Sequence, residues 1–219
     1  MTPIETLIAP LRHSPQLVEA VDLLSSQIAE ERKRRVQFYQ EMTPEEKVEF
    51  IDGEVVMHSP AKNRHLDATA RLMNLLSNFV RVNQLGTVKT EKCLCVFPRN
   101  DYEPDIVYFS PEKSATLQPD TLRFPIPDFI VEVISTSTVA RDRGVKFEDY
   151  AVHGVTEYWI IDPETETVEQ YLVGDDSSYK LQIKATTGVL TSHVIQGFSI
   201  PVRAIFDEAE NLAALRSLL

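Results

Sequence analysis

One acidic residue interrupts an otherwise apolar stretch of this sequence. Residues 129–134 are mostly β-branched or aromatic and lie between Pro127 and Ser135, a pattern typical of a strand covered on both faces. Glu132 lies inside that run. An ionised carboxylate left unpaired there would cost several kcal/mol, so a lysine, another cation or a metal ion must neutralise it.

Two more residues are candidates to form a site with Glu132. Asp105 precedes a second apolar strand, 106–109, and meets Glu132 if the two strands are neighbours. Lys146 lies on the helix predicted to follow the Glu132 strand. Carboxylates are hard oxygen ligands suited to Mg²⁺ or Mn²⁺, and a lysine beside them would position or deprotonate a metal-bound water. The alternative is a buried ion pair without a metal.

The order of these residues resembles the PD-(D/E)XK superfamily of restriction-endonuclease-like nucleases. Pro104-Asp105, Glu132 and a later lysine supply the short motif. The longer string DFIVEVISTST, followed by DRGVKFEDYAVHGVTEYWIIDP, is similar to one family of small stand-alone bacterial endonucleases within that superfamily. The similarity runs from about Glu49 to Phe206.

The resemblance implies roles for particular residues. Asp105, Glu132 and the backbone carbonyl of Val133 would hold Mg²⁺ or Mn²⁺, and Lys146 would hold the attacking water or the scissile phosphate. One position departs from the superfamily pattern: the lysine usually follows the glutamate by two residues, on the same strand face, where this chain has Ile134. The lysine must therefore come from the following helix, as Lys146.

The resemblance also implies a further acid near the first helix of the core. Glu54, on the strand before that helix, is our candidate catalytic residue. His65 and Asp67, near the start of the helix, are left open as additional members of the site.

Hydrophobic periodicity and turn residues predict the elements that position these side chains. The predicted helices are 16–39, 63–82, one beginning near 137 or 138 that carries Asp142, Lys146 and Tyr150 on one stripe, and 207–218. The predicted strands are 48–51 and 54–57 around an Asp52-Gly53 turn, one continuous strand 87–97, and 106–109, 128–134, 156–161, 167–173, 179–185, 189–195 and 198–201. Residues 1–15 and 110–126 are expected to be irregular, with a turn at Thr43-Pro44.

Composition indicates a globular protein with one sizeable core: 219 residues, 43% hydrophobic and 25% charged. The formal charge of −11 weighs against generic DNA binding, which draws affinity from basic residues. There is no apolar run long enough to span a bilayer, and the N-terminus lacks a signal-peptide pattern. Cys93 and Cys95 lack a nearby histidine for zinc and are expected to be reduced. We therefore expect a cytoplasmic protein without membrane contact.

These observations predict an α/β fold. Residues 43–219 would form a restriction-endonuclease-like core with a mixed central sheet flanked by helices, after an N-terminal helical extension, 1–42. The predicted function is Mg²⁺-dependent endonucleolytic cleavage of nucleic acid, with DNA as the partner, and a homodimer is left open. The alternatives are a non-catalytic interaction protein that keeps the nuclease fold and a metal-dependent hydrolase of a small phosphorylated molecule.

Overall fold

A computed structural model of the chain describes residues 3–43 and 45–219. The helices are α1 (Pro3–Ile8), α2 (Leu17–Glu41), α3 (Asn63–Val82), α4 (Pro111–Ser114), α5 (Val139–Asp142), α6 (Val145–Val152) and α7 (Glu208–Leu218), with a 3-10 helix at Val202–Ile205. The strands are β1 (Val48–Ile51), β2 (Glu54–Met57), β3 (Thr87–Thr90), β4 (Leu94–Val96), β5 (Asp101–Tyr102), β6 (Ile106–Phe109), β7 (Arg123–Phe124), β8 (Phe129–Val133), β9 (Glu157–Asp162), β10 (Thr167–Val173), β11 (Tyr179–Ala185), β12 (Val189–Thr191) and β13 (Ser199–Pro201). Pro44, part of a predicted turn, lies outside the described residues.

The largest sheet has six strands in the order β11-β10-β9-β8-β6-β3. β8 and β9 are parallel and their neighbours are antiparallel, so the sheet is mixed. A second sheet has five strands in the order β2-β1-β5-β4-β7, and β12 pairs with β13. The predicted α/β fold with a mixed central sheet is confirmed.

The two faces of the six-stranded sheet are covered by different elements. On one face, α3 packs through Leu72 and Phe79 against Val131 and Trp159. On the other face lies a second buried cluster that joins the sheet to α6 and to the five-stranded sheet. β8 is covered on both sides, which explains why its residues other than Glu132 are apolar. Glu132 itself points into a buried layer.

The predicted strand 87–97 is wrong. It is two strands, β3 and β4, which belong to different sheets. Glu91 and Lys92 separate them, and both have positive φ angles, 49° and 46°. Two successive left-handed residues turn the chain out of one sheet and into the other, and hydrophobic alternation carries no signal for such a turn.

α2 packs on the five-stranded sheet through its C-terminal half. Only Glu31 and Phe38 of its 25 residues are buried. Phe38 stacks on Phe50 with ring centroids 5.7 Å apart, and Arg35 binds Asp101. Arg35 therefore helps to fix this helix to the sheet. The predicted domain boundary after residue 42 stays a prediction. α1 forms within the segment that was expected to be irregular.

Nine acidic side chains are buried, and Lys146 is the only buried basic residue among those described. The nine are Glu31, Glu49, Asp101, Glu103, Asp105, Glu132, Asp142, Glu157 and Glu169. Cys93 and Cys95 are buried and free. Within the described chain there is no helix with both the length and the apolar character needed to cross a membrane.

Glu157 anchors the C-terminal strands to the six-stranded sheet. Its carboxylate is fully buried and accepts five hydrogen bonds from neutral donors at 2.6–2.9 Å. The donors are the Trp159 indole, the Gln170 amide, the Ser192 hydroxyl and the backbone N–H groups of His193 and Val194. Both oxygens are used, so the segment before β13 is fixed to β9 and β10.

Glu157→Gln is expected to lower the free energy of unfolding by about 1–3 kcal/mol, because the new amide NH₂ must face donors and leaves at least one of them unsatisfied. Urea unfolding of the purified protein measures this loss. Glu164→Gln, at a site whose side chain is 69% exposed, is the matched control and should change little. Equal stability of the two variants would contradict the anchoring role of Glu157.

Candidate active site

Asp105 and Glu132 face each other across two neighbouring strands. β6 pairs with β8 in antiparallel register, with Ile106 opposite Val131. Continuing that register places Asp105 opposite Glu132, and opposed residues point to the same face of a sheet. Both are buried, with 5% and 4% exposure. The predicted adjacency of their strands is therefore observed.

Each oxygen of Asp105 has its own partners. Oδ2 accepts the backbone N–H of Val133 at 2.9 Å. Oδ1 accepts a hydrogen bond from the ammonium of Lys47 at 2.9 Å and lies 3.5 Å from His65 Nε2. Burial alone would raise the pKa of Asp105, but His65 and Lys47 outweigh it and hold this pKa well below its usual range. Asp105 is thus a carboxylate.

Lys146 lies among three buried carboxylates. Its Nζ is 2.8 Å from Glu49 Oε1, 3.0 Å from Glu132 Oε1 and 3.5 Å from Asp142 Oδ1. The Tyr150 hydroxyl also donates to Glu132 Oε1, at 2.9 Å. The residue predicted to replace the missing strand lysine therefore does reach Glu132, from the helix that follows.

The helix that carries Lys146 is broken, whereas a continuous one was predicted. α5 ends at Asp142 and α6 begins at Val145. A Cβ atom at Gly144 would lie 2.6 Å from the Ala140 carbonyl oxygen, so only glycine fits this close approach. Despite the break, Asp142, Lys146 and Tyr150 remain on the side that faces Glu132.

Glu49, rather than Glu54, is the acid of the β1–β2 hairpin that joins the cluster. Glu49 is fully buried and accepts the backbone N–H of Glu103 at 2.9 Å. Burial alone would raise the pKa of Glu49, but Lys146 and His58 lower it to about 2. Glu54 lies at the turn end of the hairpin, where its exposed carboxylate pairs with Arg34 of α2. The candidate catalytic residue Glu54 therefore does not lie with Asp105, Glu132 and Lys146, the other predicted site residues.

His65 contributes to the site and Asp67 does not. His65, on the first turn of α3, reaches Asp105, whereas Asp67 accepts a hydrogen bond from Asn63 at the exposed side of the same helix. Lys47 was not predicted at all. A signal for Glu49 was present, since it interrupts a short apolar strand as Glu132 does.

The buried carboxylates of the cluster outnumber its lysines by two. The carboxylates are Glu49, Asp105, Glu132 and Asp142, and the lysines are Lys47 and Lys146. Burial, helped by the neighbouring carboxylates, raises the pKa of Glu132 to about 8 against the opposing effect of Lys146. Burial likewise raises the pKa of Asp142. The cluster can thus accept additional positive charge.

The donor chemistry suits a cation held by few protein ligands. Within residues 3–43 and 45–219, no group of three or more His, Cys, Asp and Glu side chains is arranged as a metal site. Mg²⁺, however, keeps several waters and is commonly bound through one or two carboxylates. Asp105 and Glu132, on opposed positions of neighbouring strands, supply two such carboxylates.

The arrangement of sheets and helices is similar to that of a protein of known structure. A crystal structure described as a putative nuclease belonging to DUF820 from Anabaena variabilis ATCC 29413 matches with a TM-score of 0.66, over 77% of this chain and 94% of that chain, at 17% identity. Residues 31–203 match the model of the Uma2 family, described as putative restriction endonuclease. The chain belongs to this family, and the predicted superfamily is confirmed.

Two uncharacterized proteins of Synechocystis sp. (strain ATCC 27184 / PCC 6803 / Kazusa) are also similar. One, sll1609, is 31% identical over 135 residues, which span 59% of this chain and 75% of that protein. The other, slr1290, is 27% identical over 143 residues, which span 61% of this chain and 70% of that protein. Membership of the Uma2 family supports nuclease function.

Proposed function

We propose that this protein is a metal-dependent endonuclease that hydrolyses phosphodiester bonds of DNA. The observation that carries the proposal is the buried cluster itself, in which four carboxylates, among them the opposed pair Asp105 and Glu132, share two lysines. A divalent cation would balance the excess of negative charge. Family membership favours a nuclease over other metal-dependent hydrolases.

Asp105, Glu132 and the carbonyl oxygen of Val133 are the proposed ligands of Mg²⁺ or Mn²⁺. Such an ion, when bound, lowers the pKa of a coordinated water and stabilises charge on the phosphate. Asp105 is oriented for this role by the Val133 N–H, which fixes one of its oxygens. Glu132 is oriented by Tyr150 through a hydrogen bond of 2.9 Å.

Lys146 serves as a positively charged hydrogen-bond donor. Burial alone would lower its pKa, but Glu132, Glu49 and Asp142 raise it well above the ordinary value. A protonated lysine holds the attacking water or the phosphate rather than removing a proton. Glu49 acts as a positioning residue, because it holds the Lys146 ammonium at 2.8 Å.

A non-catalytic protein that keeps the nuclease fold is the second candidate. The observation that favours it is the burial of Lys146. Its side chain is 2% exposed, and its ammonium already contacts the carboxylates of Glu49 and Glu132. In that case the cluster would serve stability alone.

The deciding experiment incubates purified protein with duplex DNA, single-stranded DNA and RNA, each with Mg²⁺, Mn²⁺ or EDTA. We expect cleavage of DNA that requires a divalent ion and produces internal cuts in a circular substrate. Glu132→Gln should be inactive under the same conditions. A folded wild-type protein that binds metal and cuts none of the three substrates would favour the non-catalytic candidate.

The hairpin offers a matched pair of variants. Glu49→Gln is expected to reduce cleavage by up to the ~10²–10³-fold that loss of one positioned donor costs, because it weakens the shortest of the three contacts that position Lys146. Glu54→Gln should leave the rate within about twofold and cost only the ~0.2–1 kcal/mol of an exposed ion pair. Cleavage rates and urea unfolding are measured on the same preparations. The reverse order of rates would return Glu54 to the site.

A further inference from the structure

Lys47 and Lys146 hold the site from two different sides. The Lys47 side chain is 24% exposed and that of Lys146 is 2% exposed, so Lys47 is the lysine of the site that solvent reaches more easily. Lys47 immediately precedes β1, and its backbone carbonyl accepts the N–H of His58 beyond β2. The backbone of Lys47 is therefore fixed while its side chain can reach water.

Lys47 occupies the oxygen that a metal ion would need. Asp105 Oδ2 accepts a hydrogen bond from the fixed backbone N–H of Val133, whereas the partners of Oδ1 are side chains, Lys47 at 2.9 Å and His65 at 3.5 Å. Oδ1 is therefore the oxygen that can exchange a partner for a metal ion. A divalent cation at Oδ1 would repel the ammonium. The lysine side chain, a compact charge on a flexible stem, can swing away without a change in the backbone.

We propose that Lys47 is a built-in competitor for the metal ion that, once displaced, binds a phosphate of the substrate. This inference rests on the proposed nuclease function. When metal displaces the Lys47 ammonium, the ammonium loses its contact with Asp105. The phosphodiester backbone of the substrate is then the anion available to bind it. Coupling of this kind is reciprocal: phosphate that holds Lys47 away from Asp105 tightens metal binding, and metal that displaces Lys47 favours phosphate binding.

Isothermal titration of Mn²⁺ and Mg²⁺ into the full chain without DNA tests the competition. Lys47→Met should bind metal about tenfold more tightly than wild type, within the usual range of coupling between two sites. Its DNA cleavage at saturating metal should fall about tenfold or more. Lys47→Gln keeps a hydrogen-bond donor for Asp105 but removes the charge. It is the variant to measure if Lys47→Met does not fold, and the same two changes are expected. Lys89→Met removes an exposed charge from the neighbouring strand β3 and should change neither quantity.

The proposal requires that the Lys47 variants bind metal more tightly and cleave DNA more slowly than wild type. A lysine that only stabilises the fold would, when replaced, give equal or weaker metal binding. Equal or weaker metal affinity in the Lys47 variants therefore overturns the competitor role and leaves the nuclease function standing. Tighter metal binding with cleavage at the wild-type rate overturns the phosphate contact. Absence of metal binding in wild type and variants alike overturns the inference together with the proposed function.

Discussion

Lys146→Met is expected to lower DNA cleavage by ~10²–10³-fold and the free energy of unfolding by ~3–5 kcal/mol. The first loss follows from removing the charged donor that we propose for the attacking water or the phosphate. The second follows because Glu49 and Glu132 would then be buried without their shared cation. Cleavage rates and urea unfolding of one preparation measure both quantities.

The metal dependence of the Lys146→Met variant separates its two losses. Divalent metal should restore part of the lost stability, because a cation at Glu132 substitutes for the ammonium, and it should not restore cleavage. Lys62→Met, at an exposed position before α3, serves as the charge-matched control. A Lys146→Met protein that is as stable and as active as wild type would show that this lysine has neither role.

Asp105→Asn is expected to abolish cleavage and the stabilisation of the protein by Mg²⁺ or Mn²⁺. For wild type, metal at one hundred times its Kd should add about 2.7 kcal/mol to the free energy of unfolding, because the ion binds the native state. The asparagine oxygen can still accept the Val133 N–H, so the fold should persist. Metal-free stability should fall, because the lowered pKa of Asp105 means that Lys47 and His65 stabilise its charge in the folded protein.

Thermal unfolding with and without metal measures the effect of Asp105→Asn. Asp67→Asn is the matched control, since it removes an acid from the exposed side of α3. A metal-induced rise in Tm that survives in Asp105→Asn would place the ion elsewhere and remove Asp105 from the proposed ligands.

The sequence predicts the backbone of the site better than its full set of side chains. Glu132 could be identified because a single acid in a buried strand requires a partner, and Asp105 because its strand was expected beside it. The β1–β2 turn was correctly placed because Asp52 and Gly53 both adopt the positive φ angles that this residue pair favours. These features depend on a few neighbouring residues.

The remaining parts of the site depend on contacts that are distant in sequence. Lys47 reaches Asp105 across 58 residues. Glu49 and Glu54 are both acids of one hairpin, and only the packing of that hairpin against α6 and α2 decides which one meets Lys146. No periodic pattern reports such contacts.

The burial of nine acidic side chains changes what a formal charge of −11 means for a polyanion near the protein. With those nine and Lys146 set aside, 24 acidic and 21 basic side chains are at least partly exposed. Salt at cellular concentration screens exposed charges beyond a Debye length of about 8 Å. A nucleic acid at the surface therefore meets a nearly balanced mixture of charges, so association depends on short-range contacts with individual lysines and arginines rather than on attraction or repulsion from a distance.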